Sequence, residues 1–176
     1  LRQLQIHGAR VGGPRAPRTE WESILASAKA ALPESGSFSV TDENGIITYS
    51  TQPAIVGQSR ADNYVFKQLA NSAMEELAID RPYPAVGSPS AYVLPVARRL
   101  TNDSGRFAGL VAAVVVPERY RRFFETIDVG IDGSITVLHL DGVVLFREPS
   151  ETNPINEAAA DSLSGETVKP VLRFDG

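Results

Sequence analysis

The chain of 176 residues contains no cysteine and only two histidines, His7 and His139. Without a thiol, the chain can form neither a disulfide framework nor a thiolate nucleophile. Two imidazoles that are far apart in sequence, with no cysteine to join them, do not make up a zinc site. The sequence therefore predicts no metal centre, and no motif in it points to a cofactor.

An excess of positive charge and long apolar runs are also missing. The 17 basic residues are outnumbered by 21 acidic ones, the net charge is −4, and no basic block could neutralise a row of phosphates. We therefore expect no nucleic-acid partner. The longest apolar run, at 107–116, is half as long as the ~20 residues that a membrane-spanning helix needs. Because the chain begins with Leu1 and ends in the turn-like pair Asp175-Gly176, we expect it to be part of a longer protein.

What the sequence does contain is a regular succession of helix and hairpin signals. Thr19 and Glu22 have the spacing of a capping box ahead of apolar residues at helical spacing, which predicts a helix over about 20–32. Ser59 is predicted to cap a second helix, which ends before the proline-rich connection at 80–91.

A hairpin signal occurs twice. Residues 36–50 contain Asn44-Gly45 between two alternating apolar runs, and both of these residues tolerate the positive φ of a tight hairpin turn. Residues 133–147 align with this stretch at a constant offset of 97 positions, without a gap, so that Gly142 falls opposite Gly45. Each copy follows an amphipathic helix. The sequence therefore favours a helix-and-hairpin unit used twice, with two unrelated hairpins as the alternative.

Two long apolar stretches within 92–116 flank a polar tip at 101–106 and predict a pair of antiparallel strands, after which Pro117 is predicted to begin a third helix. Strand alternation places Arg98 on one face of the first strand and Arg99 on the other. One of them must share a face with aliphatic side chains, where a guanidinium needs a carboxylate, a bound anion or an exit to solvent. A structural ion pair and a ligand contact both stay open.

The order of these elements resembles a known family of sensor modules. The segments that carry the resemblance are GIITYSTQP, VLPVARRLTNDSGRFAGLVAAVVVPERYRRFF and DGSITVLHLDGVVLFREP. They look like the tandem Cache, or PDC-type, PAS-like sensor domains of bacterial transmembrane receptors, over about residues 20–150. The resemblance implies an α+β fold: a PAS-like Cache module with a central antiparallel sheet flanked by helices, followed by a partial second module of the same type.

The resemblance also implies domain boundaries, a cellular location and binding partners. It implies an N-terminal helix remnant and linker at 1–18, a first, membrane-distal module at 19–129 and a partial second module at 130–176. The chain would be the periplasmic, extracytoplasmic sensing part of a histidine kinase, a diguanylate cyclase or a chemoreceptor, attached to membrane-spanning helices outside this chain. The expected partners are a small-molecule ligand and a second copy in a homodimer.

In such modules the ligand lies in the first module, between the sheet and the elements after the first hairpin. The residues that the resemblance implies as ligand contacts are Tyr49, Tyr64, Lys67, Arg81, Tyr83, Tyr92 and Arg98. Their guanidinium, ammonium and hydroxyl groups suit a small carboxylate. A solvated helix face is the alternative for Tyr64 and Lys67, and packing is the alternative for Tyr83 and Tyr92. The Arg-x-Trp-Tyr pattern linked to amino-acid binding is absent, so an amino-acid ligand is not supported.

No catalytic residue is predicted. The stretch from Gly57 to Ala61 nearly matches the nucleophile elbow Gly-x-Ser-x-Gly, but it lacks the final glycine and does not follow a buried strand. We therefore expect a sensor region and not an enzyme. A different class stays open beside it: a dimerisation or protein-interaction module whose pocket is filled by side chains and binds nothing small.

Overall fold

The computed structural model describes residues 1–72, 77–85, 88–130, 133–139 and 141–148. Helices lie at Arg2–Val11 (α1), Arg18–Ala31 (α2), Tyr64–Ala70 (α3) and Arg121–Glu125 (α4), and short 3-10 turns at Gly13–Arg15, Pro53–Ile55 and Pro117–Tyr120. Strands lie at Phe38–Thr41 (β1), Ile47–Ser50 (β2), Ala78–Ile79 (β3), Tyr83–Ala85 (β4), Ser88–Thr101 (β5), Phe107–Val115 (β6), Ile135–Leu138 (β7) and Val144–Glu148 (β8). No helix within these ranges is long and apolar enough to cross a membrane.

The main sheet is antiparallel throughout. Its strands follow the order β2–β1–β6–β5–β3, and β4 pairs with the first half of β5. Strands β7 and β8 form a separate two-stranded sheet. The predicted α+β class, with an antiparallel sheet flanked by helices, is confirmed. The predicted long strand pair is also present as β5 and β6.

The first hairpin forms because its turn is stabilised locally. The Asp42 carboxylate accepts the backbone N–H groups of Asn44 and Ile46, at 2.9 and 2.8 Å. Gly45 has a φ of 81°, and a Cβ added there would lie 2.7 Å from the backbone nitrogen of Ala61. Only glycine meets both conditions without strain.

The second hairpin repeats the register of the first. At the offset of 97, the pairs Val40–Tyr49 and Thr41–Ile47 of the first hairpin correspond to Val137–Phe146 and Leu138–Val144 of the second. In each hairpin the pairing register shifts by one residue between these two pairs. Gly142 has a φ of 88°, close to that of Gly45. The sequence repeat therefore extends to the backbone geometry. The part of the predicted second module that follows Glu148 lies outside the described residues.

One face of the main sheet is covered by α1 and α2. Trp21 is fully buried there, and its indole N–H donates to the carbonyl of Gly13 at 3.1 Å. Pro14 and Ala16 are also buried, so the stretch predicted as a linker packs against the sheet. The residues that share this core are Leu4, Ala16, Trp21, Leu25, Phe38, Val40, Leu100, Val111 and Ala113.

Two predicted helix caps are wrong. Helix α2 begins at Arg18 without a side-chain cap, and Glu22 instead pairs with Arg18 at 2.5 Å, one helical turn away. Helix α3 begins after Asn63 rather than after Ser59. Ser59 is held outside the helix because the neighbouring Arg60 N–H donates to the Gly45 carbonyl at 2.8 Å, which ties this stretch to the first hairpin. The predicted start of a helix at Pro117 is confirmed, first as a 3-10 turn and then as α4.

Candidate functional site

The sheet face opposite α1 and α2 is only partly covered, and a cavity of about 290 Å³ lies on it. Helix α3 covers one part of this face by packing Val65, Phe66 and Leu69 against the sheet. The cavity extends from there along the strands, beneath the segment after β2 and beneath β4. Its floor is formed by Ser37, just before β1, and by the sheet residues Ser39, Thr41, Val93, Pro95, Ala97, Leu110, Ala112 and Val114.

The floor is apolar with a few polar groups. The Thr41 hydroxyl accepts the backbone N–H of Leu110 at 3.1 Å, so it is already engaged. By contrast, the side chains of Ser39 and Asn63 line the cavity and have no hydrogen-bond partner among the described residues. A mostly apolar concave surface with a few free polar groups is typical of small-molecule sites.

Arg60 and Tyr83 form one polar corner of the cavity. The guanidinium of Arg60 donates to the carbonyl of Ser59 and to the side-chain oxygen of Gln58, both at 2.9 Å. Burial raises the pKa of the Tyr83 hydroxyl above its ordinary value, and the neighbouring Arg60 charge partly offsets this effect. Tyr83 is therefore a neutral hydrogen-bond donor at physiological pH, beside a permanent cation.

Lys29 and Arg119 add two further cations at the boundary of the cavity. Lys29 donates to the carbonyl of Pro33 at 3.1 Å, and Arg119 donates to the same oxygen at 3.2 Å, so their cationic nitrogens are at most 6.3 Å apart. Both also donate to the carbonyl of Ser35. Neither cation has an ion-pair partner within the described ranges. The two like charges are therefore held close together by neutral carbonyl groups alone.

Among the described residues, those that line the cavity include three cations, Lys29, Arg60 and Arg119, and no aspartate or glutamate. This charge composition is the main electrostatic property of the site. In a partly dehydrated cavity, a fixed cation attracts an anion much more strongly than it would in bulk water. The arrangement therefore suits an anionic ligand.

Of the residues predicted from sequence as ligand contacts, Tyr83 lines the cavity. Tyr49 lies on the opposite face, where its hydroxyl donates to the carbonyl of Ala16 at 3.0 Å. Arg98 is on that face as well: the neighbours at alternating positions, Val96 and Leu100, pack towards α1 and α2. The structure does not bring Arg98 to the cavity, because the cavity face of β5 carries the odd-numbered side chains.

The other arginine of the pair, Arg99, has a structural role. It is on the odd-numbered face of β5, but its guanidinium donates to the carbonyl of Ser72 and lies 5.5 Å from the ring centre of Phe107. A cation over an aromatic face is a favourable contact that needs no carboxylate. Arg99 is not among the residues that line the cavity.

Four more of the predicted contacts lie outside the cavity. Lys67 is exposed and pairs with Asp62 at 3.1 Å. Tyr92, opposite Pro84 in the β4–β5 ladder, is half-buried and does not line the cavity. Tyr64 and Arg81 lie together, with the guanidinium 5.5 Å from the ring centre of Tyr64.

Arg81 contacts the second hairpin. Its Nε and Nη2 groups donate to one Asp141 oxygen at 3.0 and 2.7 Å. The other Asp141 oxygen lies 2.6 Å from Nδ1 of His139, and Nε2 of His139 lies 3.1 Å from the carbonyl of Ile79. Although burial opposes ionisation, the hydrogen bonds with His139 and Arg81 lower the pKa of Asp141 to about 2. A charged contact thus joins the segment that carries Tyr83 to the second hairpin.

Sequence reasoning missed Lys29 and Arg119 as cavity residues. Each lies at the end of a correctly predicted element, the last turn of α2 and the turn that Pro117 begins. Helical periodicity gives the face of a helix, but it does not say that two residues so far apart in the chain reach the same carbonyl. The only local signal was the absence of an acidic residue one turn away from Lys29.

No protein-family model and no curated protein matches this chain. Solved structures do match. The extracellular domain of rpHK1S-Z16, a protein assigned as a histidine kinase, superposes with a TM-score of 0.72 at 26% identity, over 86% of this chain and 61% of that one. The ligand-binding domain of the Pseudomonas aeruginosa PAO1 amino-acid chemoreceptor PctB, in complex with L-Gln, gives 0.64 at 14% identity, over 93% and 66%. That of PctC, in complex with GABA, gives 0.61 at 15%, over 97% and 75%.

The chain therefore has the fold of the extracellular sensor and ligand-binding domains of histidine kinases and chemoreceptors, which are Cache, or PDC-type, modules. It spans about three-fifths of the length of the rpHK1S-Z16 domain. These structures are extracellular and ligand-binding domains of receptors, so the prediction of a sensor region is confirmed.

Proposed function

We propose that this chain is the periplasmic sensing region of a bacterial transmembrane receptor, and that its cavity binds a small molecule with a carboxylate group. The observation that carries the proposal is the charge of the cavity: Lys29, Arg60 and Arg119 line it, and no acidic residue of the described part of the chain does. The donors Tyr83 and Asn63 lie on the same surface. Together they offer the charge-assisted hydrogen bonds that a carboxylate accepts.

We further propose the domain organisation implied by the resemblance. Residues 19–129 form the first module, onto which the preceding residues 1–18 pack, and a partial second module begins at 130. The equal register of the two hairpins supports a repeated unit. In the receptor, membrane-spanning helices outside this chain connect the sensor to its output domain, and two copies form a homodimer.

Signalling would proceed by a shift between two positions of the segment 79–85 over the sheet. Tyr83 in this segment lines the cavity, while Arg81, two residues away, binds Asp141 of the second hairpin. A ligand that bridges the sheet floor and Tyr83 would favour one position, and the second hairpin would follow through the Arg81 contact. Only the difference in ligand affinity between the two positions can drive this change.

A thermal-shift screen with small carboxylic acids, followed by calorimetry, tests the proposal. A ligand at 100 times its Kd stabilises the folded state by about 2.7 kcal/mol, which raises the Tm by several degrees in a domain of this size. We expect at least one carboxylate to do so. If no compound raises the Tm while sedimentation shows a stable dimer, the chain is instead a dimerisation or protein-interaction module.

A further inference from the structure

The charges around the cavity favour a carboxylate, and they also disfavour a ligand that carries a positive charge. An amino acid brings an ammonium group in addition to its carboxylate, and this group needs an anion, several free carbonyls or an aromatic cage. Within the part of the chain that the structure describes, the charged residues that line the cavity are all cations. An ammonium inside this cavity would therefore lie near like charges without a counter-charge.

Neutral acceptors in the cavity do not replace the missing carboxylate. The hydroxyls of Thr41 and Thr51 already accept backbone N–H groups, from Leu110 at 3.1 Å and from Phe38 at 2.9 Å. The ring of Phe66 packs edge-on against Phe107, with ring centres 5.5 Å apart. The side chains of Ser39 and Asn63 are free within the described part of the chain, but single hydroxyl or amide oxygens do not compensate a dehydrated ammonium group.

Two acidic side chains on the flanking elements lie outside the cavity. Asp62, just before α3, is exposed and pairs with Lys67 at 3.1 Å. Asp80, just after β3, is buried; one carboxylate oxygen accepts the backbone N–H of Arg81 at 2.9 Å, and the other has no partner among the described residues. Asp80 is not among the residues that line the cavity. Neither carboxylate is placed to receive an ammonium group in the cavity.

We propose, building on the proposed sensing function, that the ligand is a carboxylic acid without an ammonium group. The site would select simple mono- or dicarboxylates over amino acids of the same length. This selectivity differs from that of the chemoreceptor domains with the same fold that hold L-Gln and GABA. Both classes of ligand carry the carboxylate that the cations bind. The preference would therefore arise from repulsion between these cations and the ammonium group of an amino acid.

Isothermal titration calorimetry of the unmodified chain with matched pairs of ligands tests this proposal. Succinate is compared with L-aspartate, butyrate with GABA, and propionate with L-alanine, at equal ionic strength. We expect the acid of the tightest-binding pair to bind at least tenfold more tightly than its amino partner. Equal or tighter binding of the amino acid would overturn the selectivity but leave the sensing function intact. If neither class binds, both proposals fail.

A substitution that supplies the missing carboxylate tests the electrostatic cause. Ala85 lines the cavity from β4 and is half-buried at the sheet edge, so that it can accommodate a larger side chain more easily than the buried Ala97. In Ala85→Asp we expect the preference for the acid to fall at least tenfold. The matched control, Ala54→Asp, adds the same charge at an exposed position and should preserve the preference. A preference unchanged in Ala85→Asp would contradict the electrostatic explanation.

Discussion

Replacement of Arg60 by glutamine removes the cation beside Tyr83 from the cavity. The guanidinium is half-buried and is oriented by two hydrogen bonds at 2.9 Å, to Ser59 and Gln58. A hydrogen bond to a charged group in such a setting contributes about 1.5–3 kcal/mol. We therefore expect Arg60→Gln to weaken carboxylate binding by roughly 10- to 150-fold.

Calorimetry with the best carboxylate of the screen measures this loss directly. Arg60→Lys keeps the charge but loses the planar fork of donors, so its affinity should lie between those of the wild type and Arg60→Gln. The control is Arg122→Gln, because Arg122 is exposed and does not line the cavity. It changes the net charge equally and should alter the Kd by less than about twofold. A folded Arg60→Gln variant that binds as tightly as Arg122→Gln would refute the assignment of Arg60 to the site.

Three further substitutions test the fold that supports the cavity. Trp21→Phe leaves the buried carbonyl of Gly13 without its donor and should lower the free energy of unfolding by about 2–4 kcal/mol in urea titrations followed by circular dichroism. Gly109→Ala places a Cβ 2.0 Å from the carbonyl oxygen of Thr41 at a φ of 140°, and should cost about 3 kcal/mol or more. Burial raises the pKa of Asp80 although the Arg81 N–H donates to it, so the stabilisation that Asp80 contributes should fall as the pH rises above about 4, by at most about 1.4 kcal/mol per pH unit. Asp80→Asn should remove this part of the pH dependence.

Each of these predictions has a contradicting result. For Trp21→Phe, a change below about 0.5 kcal/mol would mean that the segment around Gly13 does not pack stably onto the first module. Gly105→Ala is the control for Gly109→Ala, because Gly105 also has a positive φ but a Cβ added there would meet no atom within 4 Å. Equal losses in the two variants would rule out the contact with Thr41. For Asp80, the direction of the change in stability with pH is decisive. A carboxyl group whose pKa is raised by folding stabilises the protein only at low pH. A gain in stability between pH 4 and 7 that depends on Asp80 would therefore contradict the effect of burial.

Local signals predicted the elements well because the interactions that form them are close in sequence. The hairpin at Asn44-Gly45 is held by the Asp42 carboxylate and by the positive φ of Gly45, all within five residues. Caps were less predictable. The spacing of Thr19 and Glu22 fits a capping box, but the helix begins earlier because the residues before it are packed in the core.

The site depended on information that no local pattern contains. Alternation along β5 correctly divides Arg98 from Arg99, but it does not say which face the N-terminal helices cover. That choice follows from Trp21, which buries its ring on the Arg98 side and leaves the other face to the cavity. The pairing of Lys29 with Arg119 likewise depends on the tertiary fold, since the two residues meet only at the carbonyls of Pro33 and Ser35.

Amide chemical-shift mapping during titration with the best carboxylate tests the central claim most directly. If the cavity binds the ligand, saturable shifts should be confined to residues around it: 29, 36–41, 47, 51–66, 83–85, 93–97 and 110–119. Amides of α1 and of the buried side of α2 should stay unchanged, because they lie behind the sheet. Saturable shifts centred on Arg98 and α1, with none around Arg60 and Tyr83, would contradict the assignment of the ligand to this cavity.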